Sequence, residues 1–357
     1  MAADSISEPD GDLDSDGDLD SDRDGDRDSD GDSDGDGDGD GDGDADASPP
    51  FAPSEGFRVV GTTLVDANGY PFVIRGVNNP HIWWYDDSML ALDDIAAAGA
   101  NAVRVVWETR GQIAALEEAL ENVALNGMVP ILELHDVTGS ADPEALDALV
   151  DWWTDRDLVD LLAFLRRKVL VNIANEWGDH TVSAEAWRDA YASAIARMRA
   201  AGIPHTLVID APAWGQGLDP ILTYGASLLA GDPEHNLLFD LHMYGLWNGD
   251  GRPAEALAAA ADAGLPLLVG EFGYDYNEGL NNLACRLDAP GLMAAAAERG
   301  VGWLAWSWHG NNAENAWLDL STDWSVDNLT PWGALVVDGE HGLRATARPA
   351  SIFAPTR

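Results

Sequence analysis

The stretch AVRVVWETRGQIAALEEALENVALNGMVPILELHD, residues 102–136, decides the fold. It opens with an apolar run of strand length, residues 102–107, and closes with a second such run, residues 129–135. Residues 112–125 lie between them and carry apolar side chains at helical spacing. Neither run alternates between apolar and polar residues, which is typical of parallel strands that are buried on both faces. The stretch therefore predicts a strand, a helix and a second strand.

The same pattern recurs along the rest of the chain. The predicted strands are residues 72–77, 102–107, 129–135, 169–174, 205–210, 237–242, 266–270 and 302–306. The helices predicted between them include residues 89–98, 112–125, 185–200, 254–263 and 291–298. A hairpin-like piece, residues 57–72, comes first and has its turn at residues 66–69.

Eight strand-helix units in about 300 residues predict an α/β protein with a (β/α)8 TIM barrel. A doubly wound open sheet is the alternative. Such a sheet usually carries a glycine-rich GxGxxG loop after its first strand. Residues 75–80, RGVNNP, offer no such loop, which favours the barrel.

The charge of the chain sets the domain boundaries. Of 63 acidic residues, 21 lie in residues 1–47 beside only two arginines, which gives this tail a charge of -19 out of -44. An Asp/Gly/Ser repeat has almost nothing to bury and repels itself, so we expect a disordered acidic tail. A proline-rich linker, residues 48–56, then leads into a catalytic domain at residues 57–357.

Composition also excludes several classes of protein. A net charge of -44 argues against nucleic acid as a partner. No run of 18 or more apolar residues is present to span a membrane. Cys285 is the single cysteine, so the fold cannot depend on an intrachain disulfide. The chain opens without a charged and then apolar segment of the kind that signals secretion.

The predicted strands end on polar and aromatic side chains, and chemistry in a TIM barrel lies at the C-terminal ends of its strands. Glu176 and Glu271 follow the fourth and the seventh strand. Two carboxyl groups at one barrel mouth suit glycoside hydrolysis, in which one donates a proton while the other attacks or activates water. Fifteen tryptophans strengthen this interpretation, because indole faces stack on sugar rings.

Eight strings carry a family resemblance: GVNNPHIWW, GANAVRVVW, ILELHDVTG, VNIANEWG, LVIDAPAWGQ, HMYG, VGEFG and GWLAWSWHGN. In this order they resemble glycoside hydrolase family 5, of clan A, and look most like its bacterial β-mannanase subfamily. The resemblance covers residues 56–336, which is nearly all of the predicted folded region.

The resemblance implies the roles of the site residues. Glu271 would be the nucleophile and Glu176 the acid/base of a retaining mechanism. The residues that it places in substrate binding are Arg104, His135, Asn175, His242, Tyr244, Trp306 and Trp83. Of these, Asn175 would hold the sugar 2-hydroxyl, and Arg104 and His135 would support the nucleophile end of the site. His242 and Tyr244 would orient the two glutamates, and the tryptophans would contact sugar rings.

The resemblance implies a retaining endo-enzyme that cleaves internal β-1,4-mannosidic bonds in mannan, glucomannan or galactomannan. The histidines show no HxxxH or HxH spacing, so we expect neither a metal nor another cofactor. A polymer substrate favours an extracellular enzyme, and we expect a monomer.

Three alternatives remain: an endo-β-1,4-glucanase of the same family, a non-catalytic carbohydrate-binding barrel, and a cation-binding protein in which the tail is the function. Lys168 is the single lysine in the chain. Adaptation to high salt and a codon bias toward arginine explain this scarcity of lysine equally well.

Overall fold

The computed structural model describes residues 48–274 and 281–354. The acidic tail lies outside these residues, so its disorder stays a prediction. The predicted linker lies against the folded domain: the N–H of Phe51 donates to the carbonyl of Gly69 over 3.1 Å, and that of Ser54 to Ala67 over 3.0 Å. Within the described ranges, no helix is both long and apolar enough to cross a membrane.

The N-terminal hairpin is present, and it contains one turn that was not predicted. Strands β1 (Arg58–Val60) and β2 (Thr63–Val65) pair antiparallel. Only residues 61 and 62 connect them, and Gly61 takes the left-handed φ of 63° that this tight turn requires. The predicted turn at residues 66–69 is also present: the N–H of Gly69 donates to the carbonyl of Asp66, and Val65 pairs antiparallel with Pro71 across the turn.

Eight parallel strands close into a barrel, which confirms the predicted fold class. They are β3 (Arg75–Asn79), β4 (Ala102–Trp107), β5 (Val129–Leu134), β6 (Leu170–Asn172), β7 (Leu207–Asp210), β8 (Leu237–Met243), β9 (Leu267–Phe272) and β10 (Gly302–Ala305). Each strand pairs with the next along the chain, and β10 pairs with β3 to close the ring.

Nine helices of the described chain lie in the connections between the barrel strands, and two more follow the last strand. They are α1 (Tyr85–Leu90), α2 (Leu92–Ala97), α3 (Ile113–Leu125), α4 (Pro143–Trp153), α5 (Arg156–Phe164), α6 (Ala184–Ala200), α7 (Leu218–Gly231), α8 (Arg252–Asp262), α9 (Ala289–Arg299), α10 (Pro331–Asp338) and α11 (Leu343–Thr346). The single helix predicted at residues 89–98 is two helices, because Ala91, with ψ at -11°, bends the chain between them.

The lower end of the barrel interior is apolar. Ile131, Leu170 and Leu238 point into it from three strands and pack in one cluster with Phe57 of the hairpin segment. Phe72, which was predicted to start the first strand, belongs to the same cluster, and β3 begins three residues later. The hairpin segment therefore closes the bottom of the barrel and leaves the other end open.

One step higher, the interior becomes polar. Because side chains alternate along a strand, the residue two positions after each apolar interior residue also points inward. On five strands that residue is polar and fully buried: Arg104, Glu133, Asn172, Asp210 and Asp240, here called the polar layer. The polar layer lies directly beneath the mouth of the barrel.

Strand β9 departs from regular pairing at one residue. Leu241 of β8 is opposite Val269, but His242 is opposite Glu271, so Gly270 is an extra residue in β9. Such a β-bulge re-aims the side chain that follows it. A Cβ atom on residue 270 would collide with the Asp240 carboxylate, so only glycine fits there. The bulge turns Glu271 toward the mouth.

Candidate active site

Eight of the nine predicted site residues meet at the open end of the barrel. They come from six strands or from the residues directly after them: Arg104, His135, Asn175, Glu176, His242, Tyr244, Glu271 and Trp306. All except His135 are at least nine-tenths buried. Trp83, the ninth residue, lies at the rim and is 41% exposed.

Glu176 is held by its backbone as well as its side chain. Its φ of 47° is in the left-handed region, which costs free energy for a residue other than glycine. Its N–H donates to Oδ2 of Asp210 over 2.9 Å. Its Oε1 atom lies 2.8 Å from Nδ1 of His242. Burial raises the pKa of Glu176, His242 opposes that shift, and the charge of Glu271 adds to it. This carboxyl group therefore suits proton donation.

Glu271 is the better paired of the two carboxylates. Arg104 donates to its Oε1 atom over 2.9 Å, and the Tyr244 hydroxyl donates to Oε2 over 2.9 Å. Burial and the two nearby glutamates raise the pKa of Tyr244 well above its usual range, so this hydroxyl keeps its proton. Two hydrogen bonds therefore hold this carboxylate in position.

The two carboxyl groups are close together. One side-chain oxygen from each of Glu176 and Glu271, together with a nitrogen of His242, lie within 4.8 Å of one another. Inverting glycosidases separate their carboxyl groups by about 6.5 to 9.5 Å to admit a water, whereas retaining ones hold them about 5 to 5.5 Å apart. The observed separation fits the retaining geometry.

Arg104 connects the polar layer to the mouth. Besides Glu271 it donates to Asn172 over 2.9 Å, to Asn78 over 2.9 Å and to Asn175 over 2.7 Å. Burial would lower the pKa of Arg104, but the surrounding carboxylates raise it, so the guanidinium stays charged. Its planar fork suits three amide oxygens and a carboxylate at once.

His135 contacts Asn175 and Trp306 rather than the nucleophile candidate. Its ring stacks on Trp306 with centroids 5.6 Å apart, and its Nε2 atom lies 3.4 Å from the Asn175 amide nitrogen. Its Nδ1 atom lies 3.1 Å from Glu133 of the polar layer. Burial alone would lower the pKa of His135, but Glu133 raises it. Among the contacts described, the interaction of His135 with Glu271 is therefore electrostatic.

The mouth opens into a long groove. A cavity of about 600 Å³ contains Glu176 and Glu271. A cavity of about 440 Å³ shares His135 and Trp306 with it and extends to Trp83. On the other side of the central cavity, a cavity of about 710 Å³ shares lining residues with it, including Leu246. The two carboxyl groups therefore lie part-way along the groove, not at a closed end.

Aromatic faces line the groove on both sides of the carboxyl groups. Trp83 donates from Nε1 to Glu108 over 2.8 Å and meets the His135 ring edge-on. Trp84 lines the same cavity. Trp214 is 40% exposed and lines the central cavity. Half-exposed indoles in a groove are suitable platforms for sugar rings.

Two groups of three side chains could approach a metal ion within the described residues: Glu176, His242 and Glu271, and Asp210, Asp240 and His242. Glu176 and Glu271 already pair with His242, Arg104 and Tyr244. In both groups the imidazole also faces carboxylates that raise its pKa well above the usual range against the effect of burial. Pairing among the side chains therefore accounts for the contacts of the first group.

Comparison with known proteins agrees with this geometry. The family model described as cellulase (glycosyl hydrolase family 5) matches residues 65–312. The chain belongs to glycosyl hydrolase family 5.

Curated and solved members of family 5 resemble most of the chain. It is 39% identical to a mannan endo-1,4-β-mannosidase of Salipaludibacillus agaradhaerens, over 84% of this chain and 96% of the relative. The β-mannanase of Thermomonospora fusca superposes with a TM-score of 0.78 at 36% identity, over 84% of this chain and 99% of that one. The β-mannanase of Streptomyces thermolilacinus, solved with mannohexaose, gives 0.77 at 38% identity, over 85% and 99%.

Sequence reasoning missed several residues of this family 5 site. Asp210, Asp240 and Glu133 were not predicted to belong to it, although Glu133 and Asp240 each precede a site histidine by two residues on a strand. That spacing places both side chains on one face and could have identified them. Trp214 lies in the quoted string LVIDAPAWGQ, in the loop that follows β7, but its exposure is a property of the folded chain.

Proposed function

We propose that this protein is a mannan endo-1,4-β-mannosidase that cleaves internal β-1,4 bonds with retention. The observation that carries the proposal is the pair of buried carboxyl groups, Glu176 and Glu271, with oxygens within 4.8 Å part-way along an open groove. The named relatives that hydrolyse mannan cover most of the chain and support this choice of substrate.

In the first step Glu271 attacks the anomeric carbon while Glu176 donates its proton to the departing oxygen. The bond from carbon to Glu271 forms as the glycosidic bond breaks, which gives a covalent glycosyl-enzyme. Esterified Glu271 no longer carries a charge, so one of the interactions that raise the pKa of Glu176 disappears. Glu176 then accepts a proton from the water that releases the sugar.

The remaining site residues support these two steps. Arg104 and Tyr244 hold Glu271 by the hydrogen bonds described above, and Asn175 offers its amide to a sugar hydroxyl beside them. Trp306 forms the floor of the subsite that binds the attacked sugar. The Nε1 atom of Trp306 donates a hydrogen bond of 3.0 Å to Asn311, which fixes the indole. Trp83 provides the platform for a neighbouring sugar.

An open groove also supports endo-action, because a polymer can pass through it on both sides of the bond that is cut. Such a substrate is too large to enter a cell, so we infer that the enzyme acts outside it. The prediction that the protein is a monomer stays untested.

The test compares reducing-sugar release from linear mannan, galactomannan and carboxymethylcellulose under the same conditions. We expect release from the mannans to exceed release from carboxymethylcellulose by at least an order of magnitude. The reverse ratio would identify an endo-β-1,4-glucanase. Failure to release sugar from any of the three, with Glu271→Gln indistinguishable from the unmodified protein, would favour a non-catalytic carbohydrate-binding barrel.

A further inference from the structure

Two strands of the barrel carry an acid two residues before a site histidine. On β5 the pair is Glu133 and His135, and on β8 it is Asp240 and His242. Because side chains on a strand alternate, each acid points into the barrel one step beneath its histidine. Both acids belong to the polar layer and are fully buried. The pair on β8 lies against the candidate acid/base.

Asp240 is held by the strand that carries the nucleophile candidate. Its Oδ1 atom accepts a hydrogen bond of 2.5 Å from the N–H of Gly270, the residue before Glu271. Its Oδ2 atom lies 3.7 Å from Nε2 of His242. Neither Oδ2 nor Nε2 has a hydrogen-bond partner within the described part of the chain. A buried carboxylate oxygen and a buried imidazole nitrogen therefore face each other with their bonding capacity unused.

Other charged and titratable groups also lie around His242; they come from β4 through β9 and from α6. Glu176, Asp210 and Glu271 each bring a carboxylate oxygen near a ring nitrogen of His242, and the groups that interact with these carboxylates or with Asp240 are Arg104, His135, Tyr244 and Tyr191. Asp210 is the second aspartate near this nitrogen: its Oδ2 atom lies 3.5 Å from Nε2 of His242.

Asp210 is already committed to other partners. Its Oδ2 atom accepts from the N–H of Glu176 over 2.9 Å, and Oδ1 accepts from the Asn172 amide over 2.6 Å. Burial also raises the pKa of Asp210 to about 7, so it holds a proton over much of the acidic range. Of the two aspartates near Nε2 of His242, Asp240 is the one whose facing oxygen has no hydrogen-bond partner among the described residues.

We propose that Asp240 is a positioning residue: its carboxylate keeps His242 as the imidazolium, which directs one N–H to Asp240 and the other to Glu176. This inference rests on the proposed function, in which Glu176 loses and regains a proton. When Glu176 gives its proton to the departing oxygen, the new carboxylate lies 2.8 Å from a cation that keeps its own proton throughout. The imidazolium thus stabilises the carboxylate form, and Asp240 balances the buried positive charge.

The test is Asp240→Asn in the full-length protein. An asparagine can still accept the hydrogen bond from Gly270 and can turn its NH₂ group toward Nε2 of His242. That group donates to a neutral imidazole and repels an imidazolium, so the variant removes the charge and keeps the shape. Asp232→Asn is the matched control, because Asp232 is equally buried and pairs with Arg199, outside the cavities of the groove.

The first readout is the protonation state of His242, followed by NMR on protein labelled with ¹⁵N-histidine and assigned with His242→Gln. We expect His242 to remain doubly protonated through neutral pH in the unmodified protein and in Asp232→Asn. In Asp240→Asn we expect a neutral ring, protonated at Nδ1, at the same pH. Equal protonation of His242 in all three proteins would overturn the proposal.

The second readout is the pH dependence of kcat/KM on mannan. Loss of the cation beside Glu176 raises the pKa of that carboxyl group, so we expect the alkaline limb of Asp240→Asn to move up by about one to three pH units. A merely structural role would lower the melting temperature and leave the limb in place, and that result would contradict the proposal. The NMR readout needs no activity, so inactivity of the unmodified protein on mannan would count against the proposed function alone.

Discussion

Arg104 donates a hydrogen bond of 2.9 Å from Nη1 to Oε1 of Glu271, and the side chain of Arg104 is fully buried. The same guanidinium also donates to three asparagines that lie beside or beneath this glutamate. A buried ion pair is costly unless such additional hydrogen bonds satisfy its members. This arginine therefore fixes the position of Glu271 and compensates its charge.

Arg104→Lys should lower kcat/KM on mannan about 100-fold or more. A lysine keeps the charge but loses the planar fork, and each lost hydrogen bond to a charged group is worth about 1.5 to 3 kcal/mol. Steady-state kinetics on folded protein measure the effect. Arg199→Lys is the control, because Arg199 pairs with Asp232, outside the groove, and should affect only the melting temperature. Equal losses of activity in both variants would contradict the role of Arg104.

The activity that Glu176→Gln loses should depend on whether the leaving group of the substrate needs a proton. General acid catalysis contributes about 10²- to 10⁴-fold, so turnover of mannan should fall by that amount. A dinitrophenyl mannoside leaves without a proton, so its burst of released phenol should persist. Glu271→Gln should lose both activities, because no covalent intermediate can form. If Glu176→Gln loses the burst as completely as Glu271→Gln, Glu176 is not the acid.

Trp83→Ala and Trp214→Ala should change the pattern of products from mannohexaose in different ways. Trp83 lines the cavity that continues past Trp306, whereas Trp214 lines the central cavity beside Leu246, so the two indoles contact different parts of a bound chain. Loss of one aromatic contact costs about 0.5 to 1.5 kcal/mol beyond the buried area. Product analysis by chromatography measures the change. Phe164→Ala, an exposed aromatic on α5, is the control. Identical shifts for both tryptophans would contradict the arrangement.

Asp210→Asn should change how stability depends on pH. Burial raises the pKa of Asp210 from 3.8 to about 7, so between about pH 4 and 7 the folded protein keeps a proton that the unfolded chain releases. The free energy of unfolding therefore falls as pH rises through this window, by up to about 4 kcal/mol. The asparagine variant lacks this contribution, so its stability relative to the unmodified protein should rise from pH 4 to 7.

Urea unfolding at several pH values measures that difference. Asp232→Asn is the control with the opposite sign, because Arg199 lowers the pKa of Asp232 despite its burial. Its contribution to stability is present above the usual pKa and is lost only as the pH falls below it. The Asp232→Asn deficit should therefore stay constant between pH 5 and 7. A constant difference for Asp210→Asn over the same range would contradict the prediction.

The sequence by itself determined the barrel and the location of its chemistry. Apolar runs alternating with helical segments are local patterns, and the eight predicted strands correspond to the eight in the barrel. In a parallel barrel all strands end at one rim, so residues after strands distant in sequence, such as Glu176 and Glu271, had to meet there.

Only the tertiary structure decided how these residues pair. The β-bulge at Gly270 turns Glu271 toward the mouth. No local sequence pattern predicts this bulge, because the bulge depends on the register between β8 and β9. Closure of the ring brings His242 to Glu176 and Tyr244 to Glu271, and it buries Asp240 beneath them. Charge states depend on burial and on neighbours distant along the chain, so the protons of this site are set by the folded barrel and not by the order of its residues.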